Sequence, residues 1–209
     1  NRSSGFVMDA LVTEDGKYLA TVTVSQSGAS FSSSLDLYRL DRTEEETEPD
    51  VSASLDGSVI LDLREQSGAL WALGDTGVFA VSLAEKNLGE RKGAYSYPDQ
   101  YLKEFSLEGD GYAALLLGKY RPGTQAQLVV TDESGEVTGT LDIGEQVLSL
   151  SAAGRYIAVL TADRLDIYTS DLRLYDSLSG TQNAQKVLMR ADGTAMLIGA
   201  KTARLYIPG

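Results

Sequence analysis

Asp15-Gly16-Lys17-Tyr18-Leu19-Ala20-Thr21-Val22-Thr23-Val24 is a tight glycine turn that runs straight into a β-branched apolar stretch. Glycine accepts the positive φ such turns need, and Val and Thr suit a pleated, half-buried surface, so the segment predicts a turn followed by a strand. Phe6 to Thr13, just before it, is another apolar run. Leu35-Asp36-Leu37-Tyr38, beyond a Ser- and Gly-rich stretch, is a third, and it ends in Tyr. The same order returns around Gly68, Gly111, Gly154 and Gly193, at spacings of 39 to 52 residues. Repetition at about 40 to 45 residues with three or four short strands per unit is the mark of β-propeller blades.

Working outward, the second unit reads Val59-Ile60-Leu61, Leu70-Trp71-Ala72-Leu73 and Val78-Phe79-Ala80-Val81. The third reads Leu102 to Leu107, Tyr112 to Leu117 and Leu128-Val129-Val130. The fourth shows four runs, with Leu165-Asp166-Ile167-Tyr168 and Leu172-Arg173-Leu174-Tyr175 closing it. The fifth stops after Ala203-Arg204-Leu205-Tyr206-Ile207, its third. The expected fold is therefore all-β, a propeller-like array of about five four-stranded antiparallel blades at 6–53, 58–96, 101–143, 146–180 and 185–209. These form one domain, with the last blade lacking its outer strand. A ring tied shut by a strand from its other end leaves no free edge, and Asn1 to Gly5 is too short and polar for that task. The expectation is a C-terminal part of a longer chain with seven or eight blades in all.

Composition narrows the function classes. With 18 basic against 30 acidic residues the net charge is −12, a surface that repels phosphate backbones, so no nucleic acid is expected as a partner. There is no cysteine and no histidine, which removes thiolate chemistry, the commonest general base and the commonest transition-metal ligand. No apolar run is long enough to span a bilayer, so this stretch is expected to make no direct membrane contact.

Several motifs invite a chemical reading and receive a structural one. Glu44-Glu45-Glu46-Thr47-Glu48-Pro49-Asp50 offers hard oxygen ligands without the Gly turns that space a calcium loop, so it reads as a solvated acidic loop. Asp132-Glu133-Ser134-Gly135-Glu136 lies between two strand patterns and reads as a hairpin. Gly109, Gly111 and Ala114 fit a dinucleotide fingerprint, but the following Tyr112-Ala113-Ala114-Leu115-Leu116-Leu117 is a strand rather than the helix that motif requires. No cofactor, metal ligand or catalytic residue is assigned. Tyr38, Tyr168 and Tyr206 recur in register, which argues for packing. Tyr95, Tyr97 and Tyr101 around Pro98 form either a stacking platform or a wedge between blades. The stretches that depart most from the repeat, Gln26 to Ser34 and Lys119 to Gln127, are expected to be exposed hairpin loops. The candidate binding residues are accordingly Phe31, Tyr120, Arg121, Tyr95 and Tyr97.

Asp15-Gly16-Lys17-Tyr18-Leu19-Ala20, Leu35-Asp36-Leu37-Tyr38 and Gly154-Arg155-Tyr156-Ile157-Ala158-Val159 together resemble an uncharacterised propeller-like, WD-repeat-like family of Gram-positive anaerobes, with this chain matching its C-terminal half. The resemblance implies an N-terminal membrane helix in the parent and an extracellular domain, and it brings no catalytic residues. The expected function is a non-catalytic binding or scaffolding module on the outer face of a bacterial membrane. Its partner would be a protein or cell-wall glycan, and self-association through open blade ends is a further expectation. The alternative is a carboxylate-dependent glycan-processing enzyme, to be recognised by a half-buried carboxylate pair with raised pKa facing a pocket.

Overall fold

The five turn glycines Gly16, Gly68, Gly111, Gly154 and Gly193 all take positive φ, between 54° and 88°, and each joins the first strand of a sheet to the second. The computed structural model describes residues 5–41, 48–55, 57–97, 99–119 and 126–209. Nineteen strands lie among them, in four antiparallel sheets of four strands and a last sheet of three. They gather into two compact units: residues 1–96 with Glu133–Gly135, and Tyr97–Asp132 with Glu136–Gly209.

The first unit holds two sheets. One runs in the order β1 (Gly5–Val12), β2 (Tyr18–Ser27), β3 (Ser30–Arg39), β4 (Val51–Ser54). The other runs β5 (Ile60–Gln66), β6 (Ala69–Gly74), β7 (Gly77–Ser82), β8 (Arg91–Ser96), with a short 3₁₀ turn at Glu85–Asn87 between its last two strands. Alternation along β2 and β3 turns Tyr18, Ala20, Val22, Leu35 and Leu37 to one side. There they pack against Ile60, Leu63, Leu70, Phe79 and Val81 of the second sheet. Every position of β6 and β7 is buried, which is why those stretches read as unbroken apolar runs.

The second unit holds β9 (Gln100–Ser106), β10 (Tyr112–Lys119), β11 (Ala126–Asp132) and β12 (Val137–Ile143), then β13 (Val147–Ala153), β14 (Tyr156–Thr161), β15 (Arg164–Thr169) and β16 (Leu174–Ser179). It closes with β17 (Ala184–Met189), β18 (Ala195–Gly199) and β19 (Ala203–Tyr206). The period of two divides β14 between its neighbours. Ile157 and Val159 pack with Leu116, Leu128 and Val130, while Tyr156, Ala158 and Leu160 pack with Val187, Met189 and Leu197. At roughly 1.5–3 kcal/mol per fully buried aliphatic side chain, such two-sided strands supply much of the drive to stack the sheets.

Two recurrent devices fix how the sheets meet. In all five, the first strand carries one extra residue against the second: Met8, Leu61, Lys103, Leu148 and Gln185. Such bulges sharpen the local twist and leave the extra residue unpaired, and Met8, Leu61 and Leu148 stand exposed. The first strands are also edges, and a short side chain on one sheet satisfies a backbone N–H on the next. Leu63 N–H donates to Asp9 Oδ2 at 3.1 Å, and Ala152 N–H to Ser106 Oγ at 2.9 Å. Val187 and Met189 N–H donate to the hydroxyls of Ser149 and Ser151 at 3.3 and 3.0 Å.

Two sequence readings are corrected. Gln26 to Ser34 is not a loop, because β2 and β3 stay paired from Tyr18↔Arg39 to Ser27↔Ser30. The tip is Gly28-Ala29 alone, with φ +62° at Gly28 in the manner of a type II′ turn, so the serines of this stretch are strand residues, exposed at Ser30 and Ser32 and buried at Ser33. Leu172 is not in a strand either. It takes φ 60° in the turn before β16 and lays its side chain over Gly139. The hairpin reading of Asp132 to Glu136 agrees with the structure, since Asp132 N–H donates to Glu136 O at 3.0 Å and Glu136 N–H to Asp132 Oδ1 at 3.1 Å.

Candidate functional site

The β1–β2 turn, the end of β3, the start of β4 and the β7–β8 connection all emerge at one end of the first unit, away from the β2–β3 tip. Between them lies a cleft of about 580 Å³ lined by Tyr18, Arg39, Asp50, Glu85, Lys86 and Glu90 among others. A hollow of about 560 Å³ adjoins it, lined by Thr13, Glu14, Asp15, Tyr18 and Glu65, and a third of about 320 Å³ is lined by Lys17, Tyr18, Arg39, Asp41 and Glu85. Tyr18 is common to all three.

Tyr18 is there because it opens β2 directly after the Gly16 turn. Its ring belongs to the core between the two sheets and the residue is only 8% exposed. Tyr112 and Tyr156 open β10 and β14 in the same way and are equally buried. Their hydroxyls are engaged: Tyr112 donates to the Tyr156 carbonyl at 3.1 Å, and Tyr156 accepts from Arg155 Nη2 at 2.9 Å. Burial pushes the Tyr112 phenol up. The Tyr18 hydroxyl has no hydrogen bond among the described residues and is not one of the polar atoms sealed from solvent, so it opens into the cleft.

The charges around it are unbalanced. Among the described residues the three hollows are lined by seven carboxylates (Glu14, Asp15, Asp41, Asp50, Glu65, Glu85, Glu90) and three cations, Lys17, Arg39 and Lys86. Two of the cations are already held: Lys17 Nζ lies 3.4 Å from Asp15 and 3.7 Å from Glu85, and Arg39 Nη2 lies 3.1 Å from Asp41. The Lys17 N–H and the Thr13 hydroxyl hold Asp15 below the usual carboxylate range. Burial pushes the Glu65 carboxyl up, partly offset by the Glu14 N–H that donates to it at 2.7 Å.

Phe31 sits beside the β2–β3 tip and is 49% exposed, while Tyr95 on β8 is half-buried. Both lie toward the hairpin end of their sheets, on different sheets. Phe31 is paired with Gln26 on β2, and at about 3.3 Å per strand residue that sets it roughly 25 Å from Tyr18. In the second unit Tyr97 is buried ahead of β9, and the Tyr101 ring lies across Gly118. Tyr120 and Arg121 fall outside the described residues, as does most of the acidic run from Glu44. Among the described residues no group of three or more acidic side chains is placed to hold a metal ion, and no helix is long and apolar enough to cross a membrane. The signal that could have found the cleft from sequence is the Gly-x-Tyr or Gly-Tyr step at Tyr18, Tyr112 and Tyr156, together with the two long third-to-fourth-strand connections in the first unit.

Repeated antiparallel sheets with turn glycines in register define an all-β, propeller-like chain, and solved structures agree. The chain is similar to the AfRom2 CNH domain, with a TM-score of 0.58 at 12% identity over 99% of this chain and 69% of that one. It is similar to BBS1N, solved in complex with ARL6DN, with 0.53 at 14% over 94% and 71%. It is also similar to Kluyveromyces lactis Hsv2, with 0.50 at 12% over 97% and 74%. The chain belongs to the family of unknown function DUF5711, whose pattern covers residues 1–202. No curated protein matches it.

Proposed function

We propose that the chain is a non-catalytic binding or scaffolding module that recognises a protein on the outer face of a bacterial membrane, through the first unit. The observation that carries this is the opening around Tyr18. It is a set of adjoining hollows with unbalanced charge and a solvent-facing phenol, on a scaffold whose other register-equivalent tyrosines, Tyr112 and Tyr156, are closed off. A propeller-like neighbour, BBS1N, was solved holding a protein partner, which supports the choice of ligand class. An extracellular setting and an anchored parent extend the family resemblance. Self-association would use the far face of the last sheet, where Leu188 and Leu205 are exposed in register with Met196.

The glycan-processing alternative draws on one feature, Glu65 held up and Asp15 held down in the same hollow, a pattern seen in acid/base pairs. The Asp15 geometry is a turn device, however. Asp192 takes the Thr194 hydroxyl and N–H in the last sheet, and its carboxyl is lowered in the same way. Recurrence in register speaks for architecture rather than catalysis. The test is retention of the purified chain on bacterial envelopes before and after protease treatment, with soluble muropeptides followed by mass spectrometry. Protease-sensitive retention without glycan release is the expected result. Release of glycan fragments that stops in Glu65→Gln would overturn the reading in favour of the enzyme, and protease-resistant retention would move the partner to cell-wall glycan.

A further inference from the structure

We infer that the hollows around Tyr18 receive a cationic, extended segment of the partner protein, with a lysine or arginine head donating to the Tyr18 hydroxyl; this rests on the protein-binding reading above. Three observations converge on it. Among the described residues the phenol oxygen accepts no hydrogen bond, and it belongs to a residue more than nine-tenths buried, fixed by the core at the meeting point of the hollows. Of the three cations among the described lining residues, Lys17 and Arg39 are held by Asp15, Glu85 and Asp41, and seven carboxylates against three cations leave that lining with a net charge of −4. The openings adjoin along the sheet ends rather than forming one closed pocket, which fits a chain laid across them better than a compact ligand. Such a site gains specificity because a neutral or acidic segment would leave both the phenol and the excess carboxylates unmatched.

The probe is a fluorescein-labelled hexalysine peptide, followed by fluorescence anisotropy at about 0.1 M salt, where charges act over about 10 Å. Tyr18→Phe keeps the ring in the core and removes only the acceptor, and a hydrogen bond to a charged group is worth about a tenfold change in affinity. Glu85→Gln with Glu90→Gln is expected to weaken binding by a similar factor. Asp163→Asn with Glu136→Gln removes the same charge from exposed positions in the second unit that line none of these hollows, and is expected to change binding less than about twofold. Hexaglutamate is expected not to bind. Equal loss in the second-unit variant would show generic attraction to a chain of −12 charge and sink the inference, as would an unchanged Tyr18→Phe. Spermidine competing as well as hexalysine, residue for charge, would replace the peptide with a small polycation. If hexalysine fails while protease-sensitive envelope retention persists, the cationic segment falls and the protein-binding reading stands.

Discussion

Gly109→Ala should cost far more than the addition of one methyl group between two strands suggests. A Cβ there would sit 2.5 Å from Cζ of Tyr112 and 2.6 and 2.7 Å from its Cε atoms, against the 3.4 Å at which ordinary contact begins. The ring must retreat by the difference, about 0.9 Å. Tyr112 is 5% exposed and packed with Ala114, Leu116 and Val130, so little space exists to receive it. Overpacking of this kind costs about 1–3 kcal/mol. Retreat also pulls the hydroxyl from the Tyr156 carbonyl, now 3.1 Å away, out to about 4 Å, and a lost hydrogen bond adds about 1 kcal/mol. The expected destabilisation is about 2–4 kcal/mol, read as a lowered urea midpoint at unchanged slope. A double-mutant cycle isolates the cause: in a Tyr112→Leu background the same glycine change should cost under about 1 kcal/mol. A penalty that is equally large in both backgrounds would refute the ring as the reason, and a penalty near zero in the wild type would refute the clash itself.

Two further outcomes follow from the polar contacts. Ser106→Ala leaves the Ala152 N–H buried without its acceptor and should lower stability by about 1–3 kcal/mol, whereas Ser106→Thr should retain most of it; equal urea midpoints for wild type and Ser106→Ala would show that the bridge carries no stability. The Tyr206 hydroxyl donates to Asp176 at 2.6 Å, and that bond, more than burial, pushes the phenol up to about 12. Because the folded value lies above the unfolded one of about 10, the stabilisation is complete below about pH 10 and is lost as pH rises through the folded value. Tyr206→Phe should therefore flatten the alkaline limb of the stability profile and remove one late step from the ultraviolet phenolate titration; an unchanged titration would disprove the assignment.

What the sequence disclosed was whatever repeats locally. The five turn glycines and the buried second and third strands carry strong signals, because a tight turn needs Gly at positive φ and a run such as Leu70 to Leu73 suits a strand buried on both faces. The outer strands were harder to see. Val51-Ser52-Ala53-Ser54 and Arg91 to Ser96 are short, face solvent on alternate residues and draw their order from pairing with β3 and β7 rather than from propensity. The β2–β3 ribbon misleads for the opposite reason. Its Ser-rich composition signals a loop, while the reversal of the chain is confined to Gly28-Ala29 and continuous register carries the strands up to it. Beyond the recurring tyrosine step and the two long connections, the cleft left little trace in the sequence, because Tyr18, Asp50, Glu85 and Glu90 are separated in the chain and single carboxylates read as ordinary solvated surface. Tyr18 differs from its register mates Tyr112 and Tyr156 only in its hydroxyl, and the hydrogen bonds that occupy theirs come from backbone and side chains no local pattern reveals.

The bonds between first strands point one way. In these strand-to-strand bonds the acceptor side chain belongs to the earlier sheet and the N–H to the later one, Asp9 before Leu63, Ser106 before Ala152, Ser149 and Ser151 before Val187 and Met189, whereas the Glu14 N–H, in a turn, donates the other way to Glu65. A ribosome delivers the chain in that same order. Each sheet closes from neighbouring hairpins, so when a new edge emerges its acceptors already stand in place on a folded surface, and the edge is covered as soon as it forms. The direction of these few hydrogen bonds suits the sheets within each unit to vectorial assembly during synthesis, an earlier sheet serving as the template on which a later one is laid.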